Sequence, residues 1–362
     1  MEIEIQTYLR NGGNLTDLND IYGIKTSRSA SYPSLVSFKY QITQSRWDVP
    51  FVHQCRGIIL DENDNWRIVA RPFDKFFNHG ESRAANINWN AAKVQEKVDG
   101  SLMILYYHGE EWQVGSSGTP DANGDINSRN LTFAELFWST WKEMGLAVPA
   151  NQHTDWTLLF ELTSPENRIV VRHKDRKLTL IGCRNRITGE ELPVSTVNTR
   201  FGTNYPLVQS FDLYDINKVL ESFDTIDPLL QEGYVVVDNN FHRIKVKHPG
   251  YVALHHTIDG FGPKTMVELI RSGETDEFLT YYPELTVHFV PVRNAYQKLI
   301  ENIETAYEPI KNIPDQKSFA LEAIKTRFPG ALFALRSGKT SSVKKFLKEQ
   351  KIKVILDLLN GE

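Results

Sequence analysis

Lys97-Val98-Asp99-Gly100-Ser101 sets a lysine two residues ahead of an Asp-Gly pair, and the apolar run Leu102 to Tyr107 follows. A lysine amine is nucleophilic only when neutral, and an unperturbed lysine is neutral about once in a few thousand at pH 7. Nearby positive charge lowers its pKa, and a shift of about two units is worth roughly 3 kcal/mol between the protonation states. Arg56, Lys75, Lys245 and Lys247 are the candidate cations. Lys245 and Lys247 lie two apart, so they project from one side of a strand while Ile244 and Val246 project from the other. Glu161 ends one apolar run and Glu232 begins another, costly places for a charge without a partner. Each carboxylate has a plainer reading: Glu161 as the ion-pair partner of Arg168, Glu232 as a strand-edge carboxylate. Asp99 either caps the turn or touches substrate. Gly100 offers unusual backbone angles and room for a phosphate to approach.

The blocks fall in one order: Cys55-Arg56-Gly57, Phe73-Asp74-Lys75-Phe76-Phe77-Asn78, the Lys97 loop, Phe160-Glu161, Ser164-Pro165-Glu166-Asn167-Arg168, Glu232-Gly233-Tyr234-Val235-Val236-Val237 and Ile244-Lys245-Val246-Lys247. In that order and spacing the chain resembles the ATP-dependent RNA ligases, specifically the RNA ligase 1 family of T-even bacteriophages, over roughly residues 35 to 256. The resemblance implies that Lys97 takes AMP from ATP and passes it on, with Mg²⁺ (or Mn²⁺) assisting. It implies that Glu96 and Lys97 flank the nucleotide and that Glu161 accepts hydrogen bonds from the ribose hydroxyls. Glu232 would help hold the metal, directly or through water. Arg56, Lys75, Lys245 and Lys247 would hold the triphosphate and stabilise departing pyrophosphate. Arg56 could also fork onto a 5′-phosphate. Lys75, set among Phe73, Phe76 and Phe77, could instead snorkel over a core, and Tyr40 is either near the nucleotide or core.

The implied partner is RNA, as tRNA or other single-stranded ends, and the implied role is repair of broken tRNA in a phage-infected cell. One departure stands out. Where the family carries a second lysine in a Lys-Ser-Lys-Gly-like stretch, this chain has Gly115-Ser116-Ser117-Gly118-Thr119. Its hydroxyls and amides remain available to phosphate, but a positive charge is missing. Competing readings are a DNA-joining or RNA-capping relative, a non-catalytic RNA-binding relative, and a Schiff-base lysine enzyme.

These residues need a scaffold. Between about 50 and 250, short β-like runs dominate: 57–60, 102–107, 156–162, 178–183, 233–237 and 243–246. Helical spacing interrupts them at 133–144 and 216–223. This pattern predicts an α+β fold, a nucleotidyltransferase domain of antiparallel sheets with helices over residues 1–258. Beyond it, 265–270, 292–307, 318–328 and 343–359 read as helices, with Pro309, Pro314 and Gly330 at the breaks. The expected boundary is Asp259-Gly260, before an all-α C-terminal domain at 259–362. Relatives sharing the lysine chemistry usually continue with a β-rich OB-fold, which residues 260–362 do not suggest.

The 362 residues, 41% hydrophobic and 24% charged, suit a globular protein with a substantial core. A net charge of −4 does not itself favour nucleic acid, although cations can concentrate in one groove. Lys339, Lys344, Lys345, Lys348, Lys351 and Lys353 form either an RNA-facing stripe or a solvated helix face. Cys55 and Cys183, the only cysteines, fit a reduced intracellular protein better than one with a disulfide. No signal peptide, membrane span or zinc site is read, His255-His256 lacking partners at ligand spacing. A cytoplasmic monomer is expected, in host cytoplasm if phage-encoded.

Overall fold

The computed structural model describes residues 2–126, 131–167, 169–252 and 262–360. The chain divides into two compact units, Met1–Gln41 with Ser45–Val252, and Ile42–Gln44 with Ala253–Glu362. Asp259-Gly260, His255-His256 and Arg168 lie outside the described residues.

The first unit holds three sheets. One runs β1 (Ile24–Arg28), β2 (Leu35–Tyr40), β3 (Arg56–Asp61) and β4 (Arg67–Ala70), all antiparallel. The second comprises β5 (Phe77–Asn78), β6 (Lys93–Glu96), β11 (Ser210–Phe211), β12 (Gly233–Val237) and β13 (Arg243–Lys247), ordered β11-β6-β12-β13-β5. The third contains β7 (Ser101–His108), β8 (Glu111–Ser116), β9 (Trp156–Thr163) and β10 (Lys177–Asn185), ordered β10-β9-β7-β8. The expected antiparallel pairing holds except where β13 meets β5, a short parallel pairing of Ile244 with Phe77 and Lys245 with Asn78.

Hydrophobic burial explains this layering. Leu35, Ile59 and Val69 from the first sheet pack against Ile104, Tyr106 and Leu159 from the third. The third sheet's other face covers Phe137 and Trp141 of helix Phe133–Glu143. That helix starts where Thr132 and Glu135 form a reciprocal capping box. Val94, Tyr234, Val236, Ile244 and Val246 form the second sheet's apolar face, against Val219 and Phe223. Cys55 and Cys183 are buried and free, and burial pushes both thiols up, Cys183 to about 12.

Every regular element described between 263 and 360 is helical. Three expectations change there. Helix Thr286–Tyr307 continues through Pro291 instead of starting after it. Gly330 lies in the first turn of helix Pro329–Arg336, which begins with proline at a position that needs no amide hydrogen. The expected helix over 343–359 is two helices, Val343–Glu349 and Ile352–Asn360, separated at extended Gln350. No described helix is long and apolar enough to cross a membrane.

Gly100 owes its identity to space rather than to backbone angle. A Cβ there would lie 2.5 Å from the Leu162 carbonyl oxygen and 3.1 Å from Cγ of Glu161. Gly100→Ala should therefore push β7 from β9 and destabilise the unit by about 1–3 kcal/mol, whereas Gly330→Ala, with nothing within 4 Å, should cost little or stabilise slightly. Urea unfolding of the two variants checks this, and equal midpoints would refute the steric account.

Candidate active site

Lys97 follows directly after β6, and its amide donates to the Gly233 carbonyl at 2.9 Å. The loop behind it is clamped by Asp99, which is buried. Asp99 Oδ2 accepts from the Val170 and Val171 amides at 3.0 and 2.7 Å, and Oδ1 accepts from the Tyr251 hydroxyl at 2.9 Å. His173 meets the Asp99 carbonyl at 2.8 Å, and Asn167 Nδ2 donates to Ser101 Oγ at 2.8 Å. Asp99 thus anchors the loop to a distant segment; it neither caps its own turn nor faces the cleft.

The Lys97 amine enters a cleft of about 710 Å³. Arg56, Glu96, Glu161, Lys245 and Lys247 share its lining, so the structure brings together most of the sequence-predicted residues. Apolar Phe73, Phe76, Val98, Ile181, Val208 and Val235 complete the walls. β13 supplies its cations by strand alternation: Lys245 and Lys247 face the cleft, while Ile244 and Val246 are buried behind them.

Glu232 lies just ahead of β12 and is only 4% exposed. It accepts from Lys97 Nζ at 2.6 Å and has Lys247 Nζ at 3.6 Å. The expected crowd of cations around Lys97 thus includes a direct anionic partner. That crowd acts on Lys245: burial drives its ammonium well below the usual lysine range, and Lys75, Lys247, Arg56 and Lys97 add repulsion. Burial likewise raises the Glu161 carboxyl to about 7, against the attraction of Lys97 and Arg56. Arg56 stacks 4.8 Å from the Phe76 centroid, and its Nη1 is buried without a hydrogen-bond partner. A buried donor of this kind suits an anionic ligand.

Lys75 and Tyr40 do not line this cleft. The Lys75 ammonium sits over Tyr40, Trp47 and Phe77 at 5.1, 5.3 and 5.2 Å, a cation–π box rather than a stem lying over a core. The hydroxyl of Ser116 is also engaged, accepting from the Gly118 and Thr119 amides at 3.2 Å each. That turn therefore closes on itself instead of presenting those groups to phosphate. Sequence reasoning missed Arg243, which lines the cleft, lies 4.1 Å from the Phe73 centroid and pairs with Glu191 at 2.5 Å. The signal was available: Arg243, Lys245 and Lys247 share one strand period.

The RNA ligase family model matches residues 54–251, more than half of the chain, and the chain belongs to this family and is an RNA ligase. It is 28% identical over 345 residues to an RNA ligase of Rhodothermus phage RM378, covering 78% of each protein. It is 26% identical over 226 residues to RNA ligase 1 of bacteriophage TS2126, covering 57% of this chain and 52% of that protein. A solved archaeal ATP-dependent RNA ligase shares 15% identity, with a TM-score of 0.45 over 84% of this chain and 83% of its own.

The raised Glu161 carboxyl has a measurable sign. Its folded pKa of about 7 exceeds the ordinary 4.5, so its contribution to stability is full below pH 4.5. That contribution is lost as pH rises through 7, a change of about 3 kcal/mol. Glu161→Gln should remove this slope, measured as urea midpoints from pH 4 to 8. Parallel wild-type and variant curves would reject it.

Proposed function

We propose that this RNA ligase is ATP-dependent and joins 5′-phosphate to 3′-hydroxyl ends through a lysyl-AMP on Lys97. The observation that carries this reading is the Lys97 amine beside Glu232, in a cleft lined by Arg56, Lys245 and Lys247. In the first transfer, neutral Lys97 Nζ attacks the α-phosphorus of ATP, forming a P–N bond while the bridging P–O bond breaks and pyrophosphate departs. Glu232 is placed to hold the amine's proton, and the cations offset charge on the leaving group. In the second, an oxygen of the RNA 5′-phosphate attacks the same phosphorus and Lys97 leaves. In the third, a 3′-hydroxyl attacks the activated 5′-phosphate and AMP leaves.

Glu161 would accept from the ribose hydroxyls, and Glu96 with Lys97 would border the nucleotide. Lys75 would act at longer range, through its repulsion of Lys245, and Tyr40 as part of the box that holds Lys75. Mg²⁺, for which Mn²⁺ could substitute, would neutralise phosphate charge when bound, with Glu232 as its protein ligand. Among the described residues no group of three or more His, Cys, Asp or Glu is placed to hold a metal ion, so triphosphate oxygens and water would supply its other ligands. We assign residues 1–258 to the adenylyltransferase domain and 259–362 to an all-α domain that selects the RNA. Lys339, Lys344, Lys348, Lys351 and Lys353 there are exposed. The biological reading is repair of tRNA or other single-stranded RNA by a cytoplasmic monomer, in host cytoplasm if phage-encoded.

Incubation with α-labelled ATP and Mg²⁺ should label the wild-type protein and leave Lys97→Ala unlabelled. The label should chase onto 5′-phosphorylated RNA, and labelled GTP should give no adduct. An unlabelled wild type that still binds RNA would favour a non-catalytic relative, and a chase onto DNA alone would favour a DNA ligase.

A further inference from the structure

We propose that a second groove in the Met1–Gln41, Ser45–Val252 unit holds the 5′-terminal nucleotides of the single-stranded RNA whose phosphate is adenylylated. This rests on the ligase reading above. The groove, of about 810 Å³, shares Phe76 and Arg243 with the nucleotide cleft. Phe76 is a partition: Arg56 and Lys245, which line the cleft, lie 4.8 and 5.4 Å from its ring centroid. An RNA end lying in the groove would bring its terminal phosphate to the Phe76 ring that those cations approach and to Arg243, which lines both hollows.

The groove's own chemistry fits a polyanion carrying flat rings. Lys75, Arg83, Arg184 and Arg243 face it against two carboxylates, Asp74 and Glu191, leaving two positive charges with histidines neutral. Both carboxylates are engaged, Asp74 by Arg184 at 3.0 Å and Glu191 by Arg243 at 2.5 Å. Among the described residues no ion pair engages Lys75 or Arg83; the Lys75 ammonium is held over three rings, whereas Arg83 is exposed and its charge is open to phosphates.

Phe241 supplies the aromatic surface. Its φ of +60° places a bulky residue in the left-handed region, where such residues are rare and strained. The hairpin between β12 and β13 enforces that conformation. Asp238 Oδ1 accepts from the Asn240 and His242 amides at 2.9 and 3.0 Å, and Arg243 Nη1 donates to the Phe241 carbonyl at 3.0 Å. The backbone that carries the partly exposed ring is thereby fixed, and the ring lines the groove beside a guanidinium 5.7 Å from its centroid. A rigid ring flanked by cations is a platform on which a base can stack whatever its sequence.

Arg83→Ala and Phe241→Ala test the assignment with labelled ATP and a 3′-blocked, 5′-phosphorylated oligoribonucleotide, which stops the reaction at adenylylated RNA. Lysyl-adenylate formation should be unchanged. The KM for RNA in the second transfer should rise roughly tenfold in Phe241→Ala, the scale of one lost base stack, and should rise in Arg83→Ala through a lost phosphate contact, while Phe241→Tyr should keep the wild-type value. An unchanged KM, or a rise only for the strand bearing the 3′-hydroxyl, would overturn the proposal. Photocrosslinking of wild-type protein with 4-thiouridine at the first or second nucleotide decides the matter even if a variant misfolds: adducts should map to the 238–243 hairpin, and adducts confined elsewhere would refute it. A wild type without lysyl-adenylate but with that crosslink would instead remove the catalytic reading and leave the groove standing.

Discussion

The contact between Lys97 and Glu232 governs the site, because it resolves a conflict of like charges. Lys97, Lys245, Lys247 and Arg56 line one cleft, and four cations at such range repel one another strongly where water is sparse. Glu232, placed between Lys97 and Lys247, supplies the counter-charge that keeps two of them together. Among the described residues no ion pair engages Lys245, and the burden falls there as a strongly depressed proton affinity. The same balance raises Glu161, whose burial outweighs two nearby cations. A polyphosphate entering this cleft would meet groups held in unfavourable charge states, and relief of that repulsion favours anion binding before any bond is formed.

Around that contact a backbone bond and a buried carboxylate fix position together. The Lys97 amide is held by β12, while Asp99 ties the following turn to Val170, Val171 and Tyr251. Gly100 then lets β7 press directly against β9, the strand that carries Glu161. The Lys97 loop and the carboxylate that shares its cleft are therefore registered through the third sheet, and Glu232 through the second. Catalytic geometry of this kind is supported by a shell of residues that never touch substrate.

Much of this was legible from residue types and spacing. The alternation of Arg243 to Lys247 determined which side chains share a face, and the apolar runs of β7, β9, β10, β12 and β13 matched observed strands to within a residue or two. The first sheet was mostly missed, because β1 and β2 mix Lys, Ser and Thr into short segments without a clean apolar period. The Asp99 anchor could not be foreseen, since its partners lie about seventy and a hundred and fifty residues away. Gly100 was misread for a related reason: what excludes a side chain is Leu162, which only β-pairing brings near. Tyr40 and Lys75 were expected at the nucleotide, yet their rings and charge satisfy one another beside it. Sequence order cannot show which of two neighbouring hollows a side chain enters.

The bond from the Lys97 amide to the Gly233 carbonyl has a consequence for synthesis. The strand that positions Lys97 is completed only by a segment made more than a hundred residues later, and its neighbour β13 ends at Lys247. While the nascent chain is still emerging from the ribosome, the Lys97 loop exists without the Glu232 counter-charge or the β13 lysines. The arrangement around Lys97 is therefore complete only near the end of translation of this unit.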